Sequence, residues 1–137
     1  MKILLFIYSG LFLSAFVIFF GCKDTVSGND IDSRVMPQSN ISFSADLQPV
    51  IEIKCATSGC HDGTSSQTSL VLTSCANAKA DPGVIFPGNS GTSRIVWAVQ
   101  GLNGASPMPP VGVNKPFTAE QIRGLKKWID EGAKCKN

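Results

Sequence analysis

The stretch Cys55-Ala56-Thr57-Ser58-Gly59-Cys60-His61 constrains this chain more than any other. Two thiols followed at once by an imidazole are the residue types that attach haem covalently. The thiols add across the porphyrin vinyl groups as thioethers, and the adjacent histidine reaches the iron from one face. The usual attachment sequence has two residues between its cysteines; here there are four. Helical positions three apart rise about 4.5 Å and positions five apart about 7.5 Å, while the vinyl spacing is fixed. The spacer must therefore bulge. Ser and Thr favour turns, and Gly59 can take positive φ just before Cys60.

Zinc and a disulfide are the competing readings. Zinc prefers ligands separated by a short turn. Cys60 and His61 are neighbours whose side chains diverge, so they chelate one small ion poorly, even with Cys75 added to the set. Haem has the opposite requirement, because its vinyl edge and its iron are several ångströms apart. A Cys55–Cys60 disulfide is sterically possible but leaves His61 unexplained. The residues favour haem.

The chain starts Met1-Lys2, followed by an apolar run from Ile3 to Phe20 and then Gly21-Cys22. One positive charge and a hydrophobic stretch read as a secretory signal over residues 1–21. Gly21-Cys22 resembles the end of a bacterial lipobox, in which the cysteine is lipidated and becomes the new N-terminus, although Phe19 stands where that motif prefers Leu. An uncleaved anchor, since the run is nearly long enough to span a bilayer, and a soluble secreted form are the alternatives. In every case the domain lies outside the cytoplasm, where disulfides persist, and the cell envelope of a bacterium is the expected place.

Five cysteines are then distributed simply. Cys22 takes lipid, Cys55 and Cys60 take haem, and Cys75 and Cys135 are left as an extracytoplasmic pair, most simply a disulfide. Two free buried thiols are the alternative. The net charge of +2 gives no sign of nucleic-acid binding. Lys126, Lys127, Lys134 and Lys136 could steer an acidic redox partner or merely coat a solvated helix. The sequence shows no Ser/His/Asp set, paired carboxylates or phosphate loop.

Residues 22–42 are rich in Ser, Asn and Asp and read as a lipidated N-terminus and flexible tether. The domain is expected over 43–137, small for an unaided core. Phe43 to Lys54 reads as the first helix, capped by Ser44 or Asp46, with Pro49 in its first turn. Leu47, Val50 and Ile51 give its apolar face. Residues 74–80 can form a short helix ended by Asp81-Pro82-Gly83. Ser93 is expected to cap a helix through Gln100. Thr118-Ala119-Glu120-Gln121 is a capping box opening the last helix, with Ile122, Leu125, Trp128 and Ile129 as its buried stripe and Gly132 as its stop.

His61 is the only histidine, so a second axial histidine within the chain is excluded. Methionine is the remaining soft neutral ligand. Met1 lies in the signal and Met36 in the tether. Met108 lies in a loop stiffened by Pro107, Pro109 and Pro110, which makes it the expected sixth ligand; packing as a gap filler is its alternative.

Leu47-Gln48-Pro49-Val50-Ile51, Lys54-Cys55 through His61, Pro87-Gly88-Asn89, Met108-Pro109-Pro110 and Gln121-Ile122 through Trp128-Ile129-Asp130-Glu131-Gly132-Ala133 together resemble the small mono-haem cytochrome c domains described as planctomycete-type. The resemblance covers most of residues 43–133. It implies an all-α, class I cytochrome c-like bundle of short helices wrapped around one covalent haem c. It also implies His/Met ligation by His61 and Met108, attachment at Cys55 and Cys60, and electron transfer to redox protein partners. A monomer tethered to a membrane through its N-terminal lipid is expected. A peroxidase-like haem enzyme with an exchangeable sixth site and a non-haem, disulfide-stapled binding lipoprotein are the alternatives. Trp97, Trp128, Phe86 and Phe117 are candidates for the haem shell, each equally explained as ordinary core, and Arg94 is a candidate propionate partner. The carbonyl of Pro87 is a candidate partner for the second ring nitrogen of His61.

Overall fold

The computed structural model describes residues 27–64 and 68–135. The signal segment and Cys22 lie outside the described residues. Among the described residues five short α-helices follow one another: α1 Gly28–Asp32, α2 Gln48–Lys54, α3 Cys75–Ala78, α4 Arg94–Gln100 and α5 Ala119–Asp130. A π-helical turn, Phe43–Leu47, runs directly into α2, and a 3-10 turn, Ser90–Thr92, precedes α4. No strand occurs among the described residues, so the class is all-α. None of these helices is long and apolar enough to cross a membrane.

The best-specified element forms as its sequence dictates. Thr118 Oγ1 accepts from the Gln121 N–H at 3.2 Å, and the Gln121 side chain accepts from the Thr118 N–H at 2.9 Å. This satisfies two of the helix's orphan donors at once. Leu125, Trp128 and Ile129 are buried along one face of α5. Trp128 packs on Phe43 with ring centroids 5.1 Å apart, while its Nε1 donates to the Lys134 carbonyl. Burying each such side chain contributes roughly 1.5–3 kcal/mol. The helix ends at Asp130, with Gly132 beyond it at φ +96°.

At the first predicted helix the cap is Ser42 rather than Ser44 or Asp46: its side chain accepts from the Ala45 N–H at 3.1 Å. Asp46 reaches back to the Ser42 N–H at 2.8 Å. Ser93 stands at the N-cap position of α4 but makes no cap bond there. Its hydroxyl instead accepts from the Phe86 N–H and donates to the Asn89 carbonyl. Cys75 and Cys135, 60 residues apart, are joined by a disulfide. Closing a loop of that length stabilises by about 4 kcal/mol in the chain-entropy account.

The segment read as a flexible tether is part of the body from Ser27 onward. Ile31, Met36 and Ile41 are fully buried. Met36 lies so close to α5 that a Cβ on Gly124 would meet its Cγ at 2.8 Å. Polar groups of α5 and of its C-cap Glu131 then hold the backbone down. Glu120 accepts from the Met36 N–H, Arg123 donates to the Met36 and Pro37 carbonyls, and Glu131 accepts from the Asn40 and Ile41 N–H groups.

Candidate functional site

The end of α2 sets the position of Cys55. The N–H groups of Cys55 and Ala56 both donate to the Ile51 carbonyl at 2.8 Å, which ends the helix at that point. The spacer then folds into a turn, with the Cys60 N–H on the Thr57 carbonyl at 2.9 Å and Gly59 at φ +81°. The His61 N–H returns to the Cys55 carbonyl at 3.2 Å. The four-residue spacer is thus taken up as a closed loop rather than as extra helix, and it keeps both cysteines and the histidine in one neighbourhood.

His61 is held in one orientation. Its Nδ1 lies 2.8 Å from the Leu70 carbonyl and 3.1 Å from Thr68 Oγ1. A carbonyl only accepts, so Nδ1 carries the proton, and in the neutral ring the lone pair sits on Nε2. This is the arrangement a metal-ligating histidine uses. The partner is Leu70, not Pro87 as the sequence suggested. The main chain reinforces it, since the Leu72 N–H donates to the His61 carbonyl at 3.0 Å.

Cys55, Cys60, His61 and Met108 all line one cavity of about 630 Å³. Leu70, Leu72, Val84, Ile95, Trp97 and Val99 supply much of its wall, so the lining is largely apolar. Met108 is fixed by its N–H, which donates to the Ala98 carbonyl at 2.9 Å, and it is followed by a cis bond to Pro109. Arg94 also lines the cavity and has no ion pair among the described residues. Of the four expected shell aromatics only Trp97 lines it. Trp128 belongs to the core, Phe117 packs near Lys54, and Phe86 faces solvent.

Cys55 and Cys60 are free thiols, the first buried and the second half-buried. Burial pushes the Cys55 thiol up to about 12, against the weaker opposing pull of the Lys54 cation. Burial thus favours the neutral thiol. Cys75 is committed to its disulfide and cannot join a zinc set. Among the described residues no three His, Cys, Asp or Glu side chains come together as a chelate.

Sequence reasoning missed Lys54. It is 3% exposed, and its ammonium donates to Asp32 at 2.7 Å and to the Pro116 carbonyl at 2.7 Å, joining α1, α2 and the loop before α5. The Lys54 carbonyl accepts from Asn114 Nδ2 at 3.2 Å. Both residues border the cavity. The signal was present: Leu47, Val50, Ile51 and Lys54 fall at i, i+3, i+4 and i+7, so Lys54 continues the buried stripe.

Comparison with protein-family models, with curated proteins and with solved structures finds no match. The functional reading rests on the residues themselves.

Proposed function

We propose that this chain is an extracytoplasmic, membrane-tethered mono-haem c-type cytochrome of class I-like fold that transfers single electrons through a His/Met-ligated haem. One observation carries the reading: two free thiols, a histidine with Nε2 unclaimed, and the one methionine expected as a ligand all border the same apolar cavity. Its volume lies within the range of sites that enclose a cofactor-sized ligand.

A haem iron supplies reversible one-electron chemistry when bound. The chain's own residues define how it would be held. Cys55 and Cys60 provide the thiols for two thioether links. The Leu70 carbonyl fixes the His61 tautomer so that Nε2 is the donor. The Ala98 carbonyl fixes the backbone of Met108. A thioether sulfur favours the reduced state and raises the potential. The apolar side chains of Leu72, Val84, Ile95 and Val99 would shield a bound haem on their side, which acts in the same direction. His61 and Met108 would be the two side chains that hold the iron, which suits electron exchange rather than substrate binding.

The test is optical. Purified from cells carrying haem-maturation factors, the protein should show a reduced low-spin c-type spectrum, and its oxidised form should bind cyanide slowly. Rapid cyanide or peroxide binding would instead indicate an exchangeable sixth position and a haem enzyme.

A further inference from the structure

Cys22 and Ser27 are five peptide units apart, and an extended chain spans at most about 3.6 Å per residue. Whatever conformation joins them, Cys22 lies within about 18 Å of Ser27. Ser27 is itself fixed to the body. Its side chain caps α1, Ile31 of that helix is fully buried, and the Ile31 carbonyl accepts from Gln121 Nε2 at 2.8 Å. A tether running to residue 42 would reach about 70 Å at full extension. The anchored body can do nothing of the kind.

The surface beside Ser27 has a matching character. Lys115 Nζ bonds Asn29 Oδ1 at 3.0 Å, which ties the loop before α5 to the start of α1. In that loop Val111 is 95% exposed, Val113 58% and Lys115 67%. No Asp or Glu occurs from Gly101 to Ala119. On α1, Asp32 is taken up by Lys54 and Lys115, and Asp30 by Ser27. The exposed Val111, Val113 at the rim of the large cavity, and Lys115, whose ammonium is shared with Asp32, suit the boundary between acyl chains and headgroups.

We propose that in the lipidated protein the start of α1 and the loop carrying Val111, Val113 and Lys115 rest on the bilayer surface. This rests on the reading of Cys22 as a lipidation site. Lys54 and Asn114 border both the large cavity and the cleft beside Ser27, so the cavity stands next to this face. The redox partner that fits is one embedded in or lying on the same membrane. A long swinging tether, which would serve soluble partners far from the surface, is absent.

The experiment uses the full lipidated protein in vesicles of phosphatidylethanolamine and phosphatidylglycerol carrying a headgroup-photoreactive lipid. Peptides are mapped by mass spectrometry after illumination, and the same spectra report whether Cys22 bears lipid. The expected result is several-fold more label on the peptide spanning 111–115 than on the peptide carrying the exposed Lys126 of α5. With Cys22 lipidated, equal labelling or an excess at Lys126 would overturn the orientation. A Cys22 without lipid would overturn the anchor reading and the orientation with it.

Discussion

The Nδ1 of His61 lies 2.8 Å from the carbonyl oxygen of Leu70. That contact comes from main chain, so no side-chain substitution at Leu70 removes it directly, and it decides which ring nitrogen is available. It turns the histidine beside Cys60 from a sequence motif into a donor with a defined free lone pair. Met108, 47 residues on, borders the same cavity.

Replacing Met108 with Ala should free the sixth coordination position. Cyanide should then bind rapidly to the oxidised protein. The midpoint potential should fall by ~100 mV or more, since axial ligands and their surroundings move haem potentials over ~0.8 V. Redox titration and stopped-flow absorbance read both changes. An unaltered spectrum and potential would remove Met108 from the ligand set.

Lys54→Met keeps most of the side chain's length and removes its charge. Asp32 then loses its closest cation, and the Pro116 carbonyl loses a donor. Lys115 is left as the remaining partner of Asp32, but at 67% exposure it contributes little. Charge-assisted bonds of this kind are worth about 1.5–3 kcal/mol, so urea unfolding should show a loss of about 2 kcal/mol.

Acid should loosen the segment 31–41 before the rest of the body. Bonds from Arg123 and the Met36 N–H hold the Glu120 carboxyl below its ordinary 4.5, and bonds from the Asn40 and Ile41 N–H groups do the same for Glu131. The Lys54 ammonium lowers Asp32 from 3.8. A depressed carboxyl contributes stability that is fully present above its unfolded value and lost as pH falls through its folded one. The contribution should therefore be intact above about pH 5 and decline below pH 4.5, the ordinary glutamate value. Amide exchange at Met36, Asn40 and Ile41, corrected for intrinsic rates, measures it. Glu131→Gln should abolish the acid dependence at Asn40 and Ile41 while leaving that at Met36.

Gly124→Ala tests the seat of Met36. Alanine gains about 1 kcal/mol in helix propensity. The new Cβ, however, would meet Met36 Cγ at 2.8 Å and Cβ at 3.1 Å. Overpacking of that kind costs about 1–3 kcal/mol, so the variant should be net destabilised or at best neutral. In the Met36→Ala background the Cγ and Sδ contacts vanish while the 3.1 Å Cβ contact stays, so the same substitution should cost less. This difference is the coupling that a double-mutant cycle reads.

Much of the fold was legible in the sequence where the signal is local. The capping box at Thr118 and Gln121, the stripe through Leu125, Trp128 and Ile129, and the positive φ of Gly59 each follow from a few adjacent residues. The segment before Phe43 was not legible. Its apolar residues, Ile31, Met36 and Ile41, are spaced by five, which matches neither the helical nor the strand period, and polar neighbours hide them. What holds them are side chains about 90 residues away: Gln121 on the Ile31 carbonyl and Glu131 on the Asn40 N–H. The site was half legible. Cys55, Cys60, His61 and Met108 could be named from residue type and spacing. The Leu70 carbonyl could not, because any residue supplies one.

The central claim is most directly tested on the peptide spanning residues 55–61. A denaturing gel stained for haem peroxidase activity should show a band at the size of the protein. Mass analysis should find one haem bound through both Cys55 and Cys60. Two unmodified thiols, or a Cys55–Cys60 disulfide, in protein made with haem-maturation factors would contradict it.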